Sequence, residues 1–379
     1  MRSRIQRRAV APGFVSASLI AATLLGVEVP ANALTVKANF APSITKASNA
    51  ADIEAEIRSS LAFYSQFSNR ETVSIRYTLM KSGLGASETT IYDTNYSDFA
   101  NLLSADSLKH PGNTVLAGAL AHLASGNQAD LVTAPSADFR ALGDTSAVGL
   151  FSGNGSFDTG GKFDGIIYLN ASIMSFTGTV GSGQYGAEQV IQHETDEVLG
   201  IGGPGTDVTL PYGATLGGQS YIGDEDLYRY SAPGVPSFTA STGATAYFSI
   251  DGGATNIAAF NQSGQGDYAD WAVTSCAQVQ LVQDWAGCPG KYVQQFGLTT
   301  TSPEAIGLQA IGYDFTSGSA SSSMLGGLQS IPQSGLNFSV GVPELQTWTL
   351  MIAGLALLGA SFRRRRPRSS NLGKAAPAV

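Results

Sequence analysis

Apolar and polar positions repeat along this chain with two different periods, and each period predicts a kind of element. Residues 50–67 place apolar side chains at helical spacing, with Asp52 and Glu54 near the start, where a helix dipole favours acidic groups. Residues 72–80 alternate apolar and polar side chains, as a half-buried strand does. By the same criteria the sequence predicts a strand at 163–169 and helices at 96–103, 114–125 and 185–199.

The composition between the two ends of the chain predicts the fold class. Only 13% of the residues are charged, 45 are glycines, and Ser and Thr are frequent, which is typical of a secreted, loop-rich α+β protein. This part of the chain is long enough for one large domain or two small ones, and we expect one α+β domain over residues 34–315 with a loop-rich C-terminal half. Residues 316–341 are rich in Ser and Gly and are expected to form a flexible linker.

The N-terminal segment predicts export. Residues 1–33 begin with four arginines, continue through an apolar stretch and end in Ala31-Asn32-Ala33, the small-residue pattern of a signal-peptide cleavage site. The alternative, a membrane anchor, would need a longer apolar run. We therefore expect a signal peptide over residues 1–33.

Charge and cysteine content are consistent with export. The net charge is −8 although both ends of the chain are basic, so we expect no nucleic-acid partner. The two cysteines, Cys276 and Cys288, are expected to form a disulfide bond in an oxidising compartment. Two thiols cannot build a four-thiolate zinc site, and no Lys, Arg or His lies between them to activate a catalytic thiol.

The C-terminal segment resembles a known sorting signal. Val-Pro-Glu-Leu at 342–345 precedes an apolar run at 349–362 and then four consecutive arginines, which would hold that end in the cytoplasm. This order resembles the PEP-CTERM signal of Gram-negative bacteria, with Leu345 where that family has its second proline. The resemblance implies a sorting signal with a transmembrane segment at 342–366 and a cytoplasmic tail at 367–379. It also implies inner-membrane anchoring, an exosortase-type processing enzyme as partner, and a final place at the cell surface or outside the cell; a plain tail anchor is the alternative.

Residues 192–201, QHETDEVLGI, carry the strongest chemical signal in the chain. His193 and Glu197 are four residues apart on the predicted helix, so they project from one face and can bind one metal ion. In the related H-E-x-x-H pattern both His bind zinc and the Glu is the general base. Here the pattern is H-E-x-x-E, which predicts His193 and Glu197 as ligands of Zn²⁺ and Glu194 as general base toward a metal-bound water.

A third ligand must come from elsewhere in the chain. The other two histidines, His110 and His122, lie well upstream, so we expect an oxygen ligand. The acidic run at 224–226 follows the motif helix by about 30 residues, as a later carboxylate ligand does in zincins. We predict that Asp226 is the ligand, because it directly precedes apolar and aromatic residues that would anchor the loop.

The residues after this acidic run suggest further roles. Tyr228 or Tyr230 would donate a hydrogen bond to the oxyanion that develops during hydrolysis. Two alternatives remain for the acidic run itself. It could be a solvated turn, or it could bind Ca²⁺ together with Asp207.

The motif resembles that of the metzincins, H-E-x-x-H-x-x-G-x-x-H. The matching residues are His193, Glu194 and Gly200, whereas Glu197 and Gly203 replace the second and third His. The order of the predicted elements also resembles the metzincin-like catalytic domain. The implied fold is therefore a zincin with a mixed sheet, in which oxygen ligands complete the metal site.

Further segments resemble exported bacterial predicted metalloproteases that carry an H-E-x-x-E-x-x-G helix and a PEP-CTERM tail. They are DLYRYSAPG, YFSIDGG and GDYADW, while EAIGLQAIGY is similar to the closing helix of metzincin-type domains. The resemblance spans residues 50–314. It implies a secreted or surface-anchored zinc metalloendopeptidase that acts on proteins or peptides.

Other functions remain open. The loss of two metzincin ligands favours a catalytically inactive envelope or extracellular-matrix protein that binds polysaccharide or surface proteins. Asp267 and Asp270 beside Trp271 suggest a glycoside hydrolase, although no other glycosidase signature is present. Glu194 and Glu197 could also be a solvated helix face without a metal.

Overall fold

The computed structural model of the chain describes residues 33–123, 130–158, 160–205, 215–216, 219–239, 241–278, 280–291 and 301–315. The predicted linker, sorting signal and cytoplasmic tail lie outside these residues, as does all of the predicted signal peptide except Ala33. Within the described part of the chain, no helix is both long enough and apolar enough to cross a membrane.

The described residues form an α+β structure, as the composition predicts. Their helices are α1 (Pro42–Thr45), α2 (Ala50–Ser60), α3 (Tyr96–Lys109), α4 (Thr114–Leu120), α5 (Ser136–Ala141), α6 (Ala187–Leu199) and α7 (Pro303–Ala310), with 3-10 helices at Leu61–Gln66 and Glu225–Tyr228. Their strands are β1 (Thr35–Phe40), β2 (Thr72–Leu79), β3 (Gly85–Thr89), β4 (Ile91–Asn95), β5 (Leu131–Pro135), β6 (Gly165–Leu169), β7 (Met174–Ser175), β8 (Tyr185–Gly186), β9 (Thr215–Leu216), β10 (Gln219–Gly223), β11 (Arg229–Ala232), β12 (Val235–Pro236), β13 (Tyr247–Phe248) and β14 (Ala258–Ala259).

The predicted elements are present, but several of their ends differ. β2 and β6 correspond to the two predicted strands, and α6 is the predicted motif helix. The helix predicted at 50–67 changes to 3-10 geometry at Leu61. α3 continues to Lys109, because its last turns are mostly exposed and need no apolar periodicity. α4 ends at Leu120, earlier than predicted.

Helix α6 contacts a four-stranded sheet with the strand order β1-β2-β6-β3. β1, β2 and β6 are parallel, and β3 is antiparallel to β6 at the edge of the sheet. β2 buries Val73, Ile75 and Tyr77 on one face, as its alternating sequence predicts. The parallel strands are joined through helices, as parallel pairing requires.

Helix α6 packs on this sheet because two strand residues have no side chain. A Cβ at Gly165 would lie 2.5 Å from Cγ2 of Val198, and a Cβ at Gly85 would lie 2.6 Å from Cγ1 of Val190. On the opposite side of α6, Asp196 is buried and accepts a hydrogen bond of 2.7 Å from the Tyr64 hydroxyl. These contacts orient the helix, so the direction of its metal-motif residues is determined by the core.

The rest of the described chain builds around the same core. A second sheet has the order β4-β5-β10-β9, and a third has the order β12-β11-β13-β14. One cluster of buried apolar side chains extends from Leu34 to Tyr313. The described residues between these two positions therefore contribute to one core.

Candidate metal centre

Helix α6 presents His193 and Glu197 on one face, one turn apart. The Nε2 atom of His193 lies 3.4 Å from Oε1 of Glu197, and both side chains are largely buried. Gly200 ends the helix with a φ of 120°, a conformation that favours glycine, and its N–H donates to the Asp196 carbonyl at 2.8 Å. The spacing and the terminal glycine of the motif are therefore realised as the sequence predicts.

A third acidic side chain joins this pair, and it is Asp270. Its Oδ2 lies 3.6 Å from Nε2 of His193. His193, Glu197 and Asp270 each offer one ligand atom, and these atoms all lie within 4.8 Å of one another. We refer to these three residues as the α6 cluster.

Two residues hold Asp270 in place through its other oxygen. The Gly203 N–H donates to Oδ1 at 3.0 Å, and Nε2 of Gln283 donates to the same atom at 3.1 Å. Gly203 stands where the metzincin pattern has its third His, and its φ of 78° turns the chain toward Asp270. In the metzincin pattern this loop position supplies a histidine ligand. In this chain it supplies the Gly203 N–H, which donates to the Asp270 carboxylate.

The two residues of α6 are held in a similar way. His193 donates from Nδ1 to the Val282 carbonyl at 3.1 Å, which directs Nε2 toward the two carboxylates. On the other side, the Ser87 hydroxyl of β3 donates to Oε2 of Glu197 at 2.5 Å. Each member of the α6 cluster therefore uses one atom for orientation and turns another toward the centre.

The structure does not bring Asp226 into the cluster; the acidic side chain that joins His193 and Glu197 is Asp270. The acidic run is buried and engaged locally: Glu225 accepts from the Gly202 N–H at 2.7 Å, and Oδ1 of Asp226 lies 3.2 Å from Arg229 Nη1. Among the described residues this run is not part of a three-ligand group. Asp207, which the calcium alternative needs, lies outside the described residues.

Neither predicted tyrosine donates toward the α6 cluster. The Tyr228 hydroxyl donates to the Ala310 carbonyl at 2.7 Å, and the Tyr230 hydroxyl donates to the His122 carbonyl at 2.9 Å. Both residues are buried by packing around the third sheet. Their expected role toward an oxyanion is therefore wrong for this conformation, because their hydroxyl protons are used elsewhere.

Glu194 is largely buried beside the cluster and contributes to the wall of a partly open cleft. The cleft is lined by residues of β3, α6 and the segment 282–287, which are Leu84, Gly85, Gln189, Val190, His193, Glu194, Val282, Asp284, Trp285 and Gly287. A Cβ at Gly85 would lie only 2.2 Å from Oε1 of Glu194. Glycine at this strand position therefore makes room for the carboxylate of the predicted general base.

The electrostatics of the cluster favour a cation. Burial alone would lower the pKa of His193, but the charge of Asp270 and the hydrogen bond and charge of Glu197 outweigh it and raise that pKa well above its usual value. The two carboxylates thus create a strongly negative field at Nε2. A proton or a metal ion can neutralise it.

The donor set fits Zn²⁺. One imidazole nitrogen and two carboxylate oxygens are all accepted zinc ligands, and two ligands of a tetrahedral zinc ion are about 3.3 Å apart. The observed separations of 3.4 and 3.6 Å from Nε2 of His193 are close to this value. The chemistry of these three residues therefore agrees with the metal that the motif implies.

The predicted disulfide bond is confirmed, and it belongs to the wall of the cleft. Cys276 and Cys288 are bonded, with their Cα atoms 5.6 Å apart. The segment between them contains Val282 and Gln283, which contact His193 and Asp270 respectively. The covalent bond thus closes a loop that orients two of the three candidate ligands.

The sugar-binding interpretation of Trp271 is not supported by its surroundings. Its side chain is 1% exposed, and Nε1 donates to Oε1 of Glu304 at 3.0 Å. The ring packs near Phe248 and Phe260, with centroid distances of 5.7 and 5.1 Å. Trp271 is therefore a core residue that supports its neighbour Asp270.

The sequence interpretation missed Asp270 as a candidate ligand, Gln283 as its hydrogen-bond partner and Gly85 as the neighbour of Glu194. Asp270 was visible only as an acid three residues from Asp267, and no spacing ties it to α6. Gln283 and Gly85 carry no signal at all in one sequence, since a glutamine in a loop and a glycine in a strand are common.

Comparison with known proteins yields no relative for this chain. No family model matches it, and neither do curated proteins or solved structures. The interpretation of the site therefore depends on the residues and their geometry.

Proposed function

We propose that this protein is a zinc-dependent metallopeptidase in which His193, Glu197 and Asp270 hold the metal ion and Glu194 is the general base. The observation that carries the proposal is the convergence of the three ligand atoms within 4.8 Å beside a cleft that Glu194 lines. A structural metal site needs the three ligands only. A neighbouring carboxylate in an open cleft adds what hydrolysis needs.

The chemistry divides between the metal and this carboxylate. Bound zinc would supply Lewis acidity, which polarises a peptide carbonyl and makes water a better nucleophile. Glu194 would take a proton from the attacking water and pass it to the amine that leaves. Gly85 leaves space for that carboxylate, and Val190 and Leu84 give the cleft apolar walls.

The edge strand β3 supports a peptide as substrate. Among the described strands β3 pairs only with β6, which makes it an edge strand of its sheet. Gly85 lies on this strand and in the cleft, next to Glu194. A peptide added along β3 by backbone hydrogen bonds would therefore pass the proposed general base.

The metzincin-like identity and the cellular setting are part of the same proposal. A parallel sheet with one antiparallel edge strand, a motif helix on that sheet and Gly200 at its end are consistent with a zincin fold. The disulfide bond suits an oxidising compartment. We propose export by the N-terminal signal, anchoring to the inner membrane by the C-terminal segment, and processing by an exosortase-type enzyme.

Zinc content and hydrolysis of a peptide library by the full-length chain test the proposal. We expect His193→Ala to bind about one zinc ion fewer per chain than the native protein, and His122→Ala, a control at an exposed histidine, to bind as much zinc as the native protein. We also expect cleavage of peptides that zinc removal abolishes. No zinc dependent on His193 would overturn the metal site. Zinc without hydrolysis of any peptide would instead identify an inactive scaffold that binds polysaccharide or surface proteins.

A further inference from the structure

A second group of metal-binding side chains lies outside the cleft, and the motif did not predict it. Asp106 is in the last turn of α3, His110 directly follows that helix, and Asp314 follows α7. One ligand atom from each of the three lies within 4.8 Å of the others. We refer to these residues as the α3 cluster.

Two buried carboxylates converge on a single imidazole nitrogen. Nδ1 of His110 lies 2.9 Å from Oδ1 of Asp106 and 2.7 Å from Oδ2 of Asp314. One proton on Nδ1 can be directed at only one of these oxygens. The geometric hydrogen bond goes to Asp106, and Oδ2 of Asp314 is left without one.

The two carboxylates are almost inaccessible to solvent. Asp106 is 1% exposed and Asp314 is 4% exposed, and Oδ2 of each is buried without a hydrogen-bond partner. A buried carboxylate oxygen without a hydrogen-bond donor is costly, and the single imidazole between the two acids balances at most one of their charges, so a bound cation would stabilise this arrangement.

Asp314 is held so that its unpaired oxygen points to the cluster. Nδ2 of Asn113 donates to its Oδ1 at 2.9 Å, and its backbone N–H donates to Oδ1 of Asn69 at 2.8 Å. His110 is half-exposed, so its Nε2 can carry a proton in contact with solvent while Nδ1 provides a lone pair. Carboxylates held by hydrogen bonds and an imidazole nitrogen that faces them are features of a preformed metal site.

We propose that Asp106, His110 and Asp314 bind a divalent cation of the first transition row, best matched by Zn²⁺, which fastens the segment after α7 to α3. One imidazole and two carboxylates neutralise the charge of such an ion and are among its ordinary ligands. The ligand atoms would separate by about 0.5 Å to reach tetrahedral spacing. The site is structural, because it links two elements and does not include a residue that lines the cleft.

The test uses the full-length chain carrying His193→Ala, which empties the α6 cluster, and measures bound zinc after equilibrium dialysis. We expect about one zinc ion per chain in this background. His110→Gln or Asp314→Asn, added separately, should remove it, whereas Asp98→Asn on α3 should not. Zinc should also raise the melting temperature of the His193→Ala chain, and His110→Gln should abolish that rise.

Two outcomes would overturn the proposal. One is the absence of zinc from the His193→Ala chain, in which case the three side chains form only a polar cluster. The other is zinc that persists in both the His110→Gln and the Asp314→Asn variants. His110→Gln alters a half-exposed side chain, so circular dichroism should show that it folds. Neither outcome depends on peptidase activity, so a failure here is distinguishable from a failure of the proposed function.

Discussion

The α6 cluster and the α3 cluster contain the same side-chain types, and their surroundings give them different capacities. Each has one histidine and two acidic residues, with a histidine and an acid four residues apart at a helix and a second acid from a later segment. The α6 cluster adjoins the cleft that Glu194 lines, whereas no α3-cluster residue lines it. The comparison teaches that ligands suffice for binding a metal, while hydrolysis needs a general base and access for a substrate.

The two clusters also differ in how their histidines are held. The Nδ1 atom of His193 is occupied by the Val282 carbonyl, so Nε2 is the atom available to a metal. In His110 it is Nδ1 that faces the acids, while the ring is half-exposed. The imidazole of His193 is therefore oriented by a contact outside its own cluster. That contact comes from the segment closed by Cys276 and Cys288.

The largest expected effect separates catalysis from metal binding at the α6 cluster. Glu194→Gln should lower peptide hydrolysis by about 10²- to 10⁴-fold, because the general base is lost, and it should leave zinc content unchanged. Glu188→Gln, on the first turn of the same helix, is the control. Steady-state kinetics with zinc analysis checks this, and equal loss in both variants would argue against a specific role for Glu194.

The second prediction concerns the identity of the third ligand. Asp270→Asn should weaken zinc binding at the α6 cluster by at least about 100-fold, beyond the loss typical of an outer residue, and should leave the α3 cluster unchanged. Competition with a chelator measures this affinity, and Asp267→Asn is the matched control. If Asp226→Asn lowers the zinc affinity more than Asp270→Asn does, the third ligand is Asp226 of the acidic run.

A smaller effect is expected from the residue that orients Asp270. Gln283→Ala removes the 3.1 Å hydrogen bond to Oδ1 of Asp270 and should reduce zinc affinity by about 10- to 100-fold. The visible spectrum of the cobalt-substituted protein should change as well, since the ligand geometry loosens. Gln278→Ala, in the same disulfide-closed segment, should alter neither; unchanged affinity and spectrum in Gln283→Ala would show that Asp270 is positioned without it.

The smallest effect concerns space around the general base. Gly85→Ala places a methyl group against Glu194 and Val190, so we expect kcat to fall about tenfold while zinc remains bound. Gly183→Ala has nothing within 4 Å of the added Cβ and is the control. If both variants retain full activity, Glu194 does not need its present position against β3.

The sequence pattern was sufficient where the chemistry is local. The 3.6-residue period of 187–199, the i and i+4 pair and the glycine at 200 lie within one helix, so spacing alone identified His193, Glu194 and Glu197. Cysteine number and the export signal were sufficient for the disulfide bond. Asp226 was predicted from the spacing of the acidic run after the motif helix and from the residues that follow it, and spacing along the chain does not measure distance across a loop-rich half.

The sequence by itself therefore determined the α+β class, the motif helix and the Cys276–Cys288 bond, because each depends on short-range periodicity or on a count of residues. Tertiary structure alone decided that Asp270 meets His193, that Gly85 makes room for Glu194, and that Asp314 reaches His110 across some 200 residues of chain. The physical reason is that these contacts depend on how α6 and α7 pack on the sheets and on the core. That packing sums many weak apolar contacts, and no single short segment encodes it.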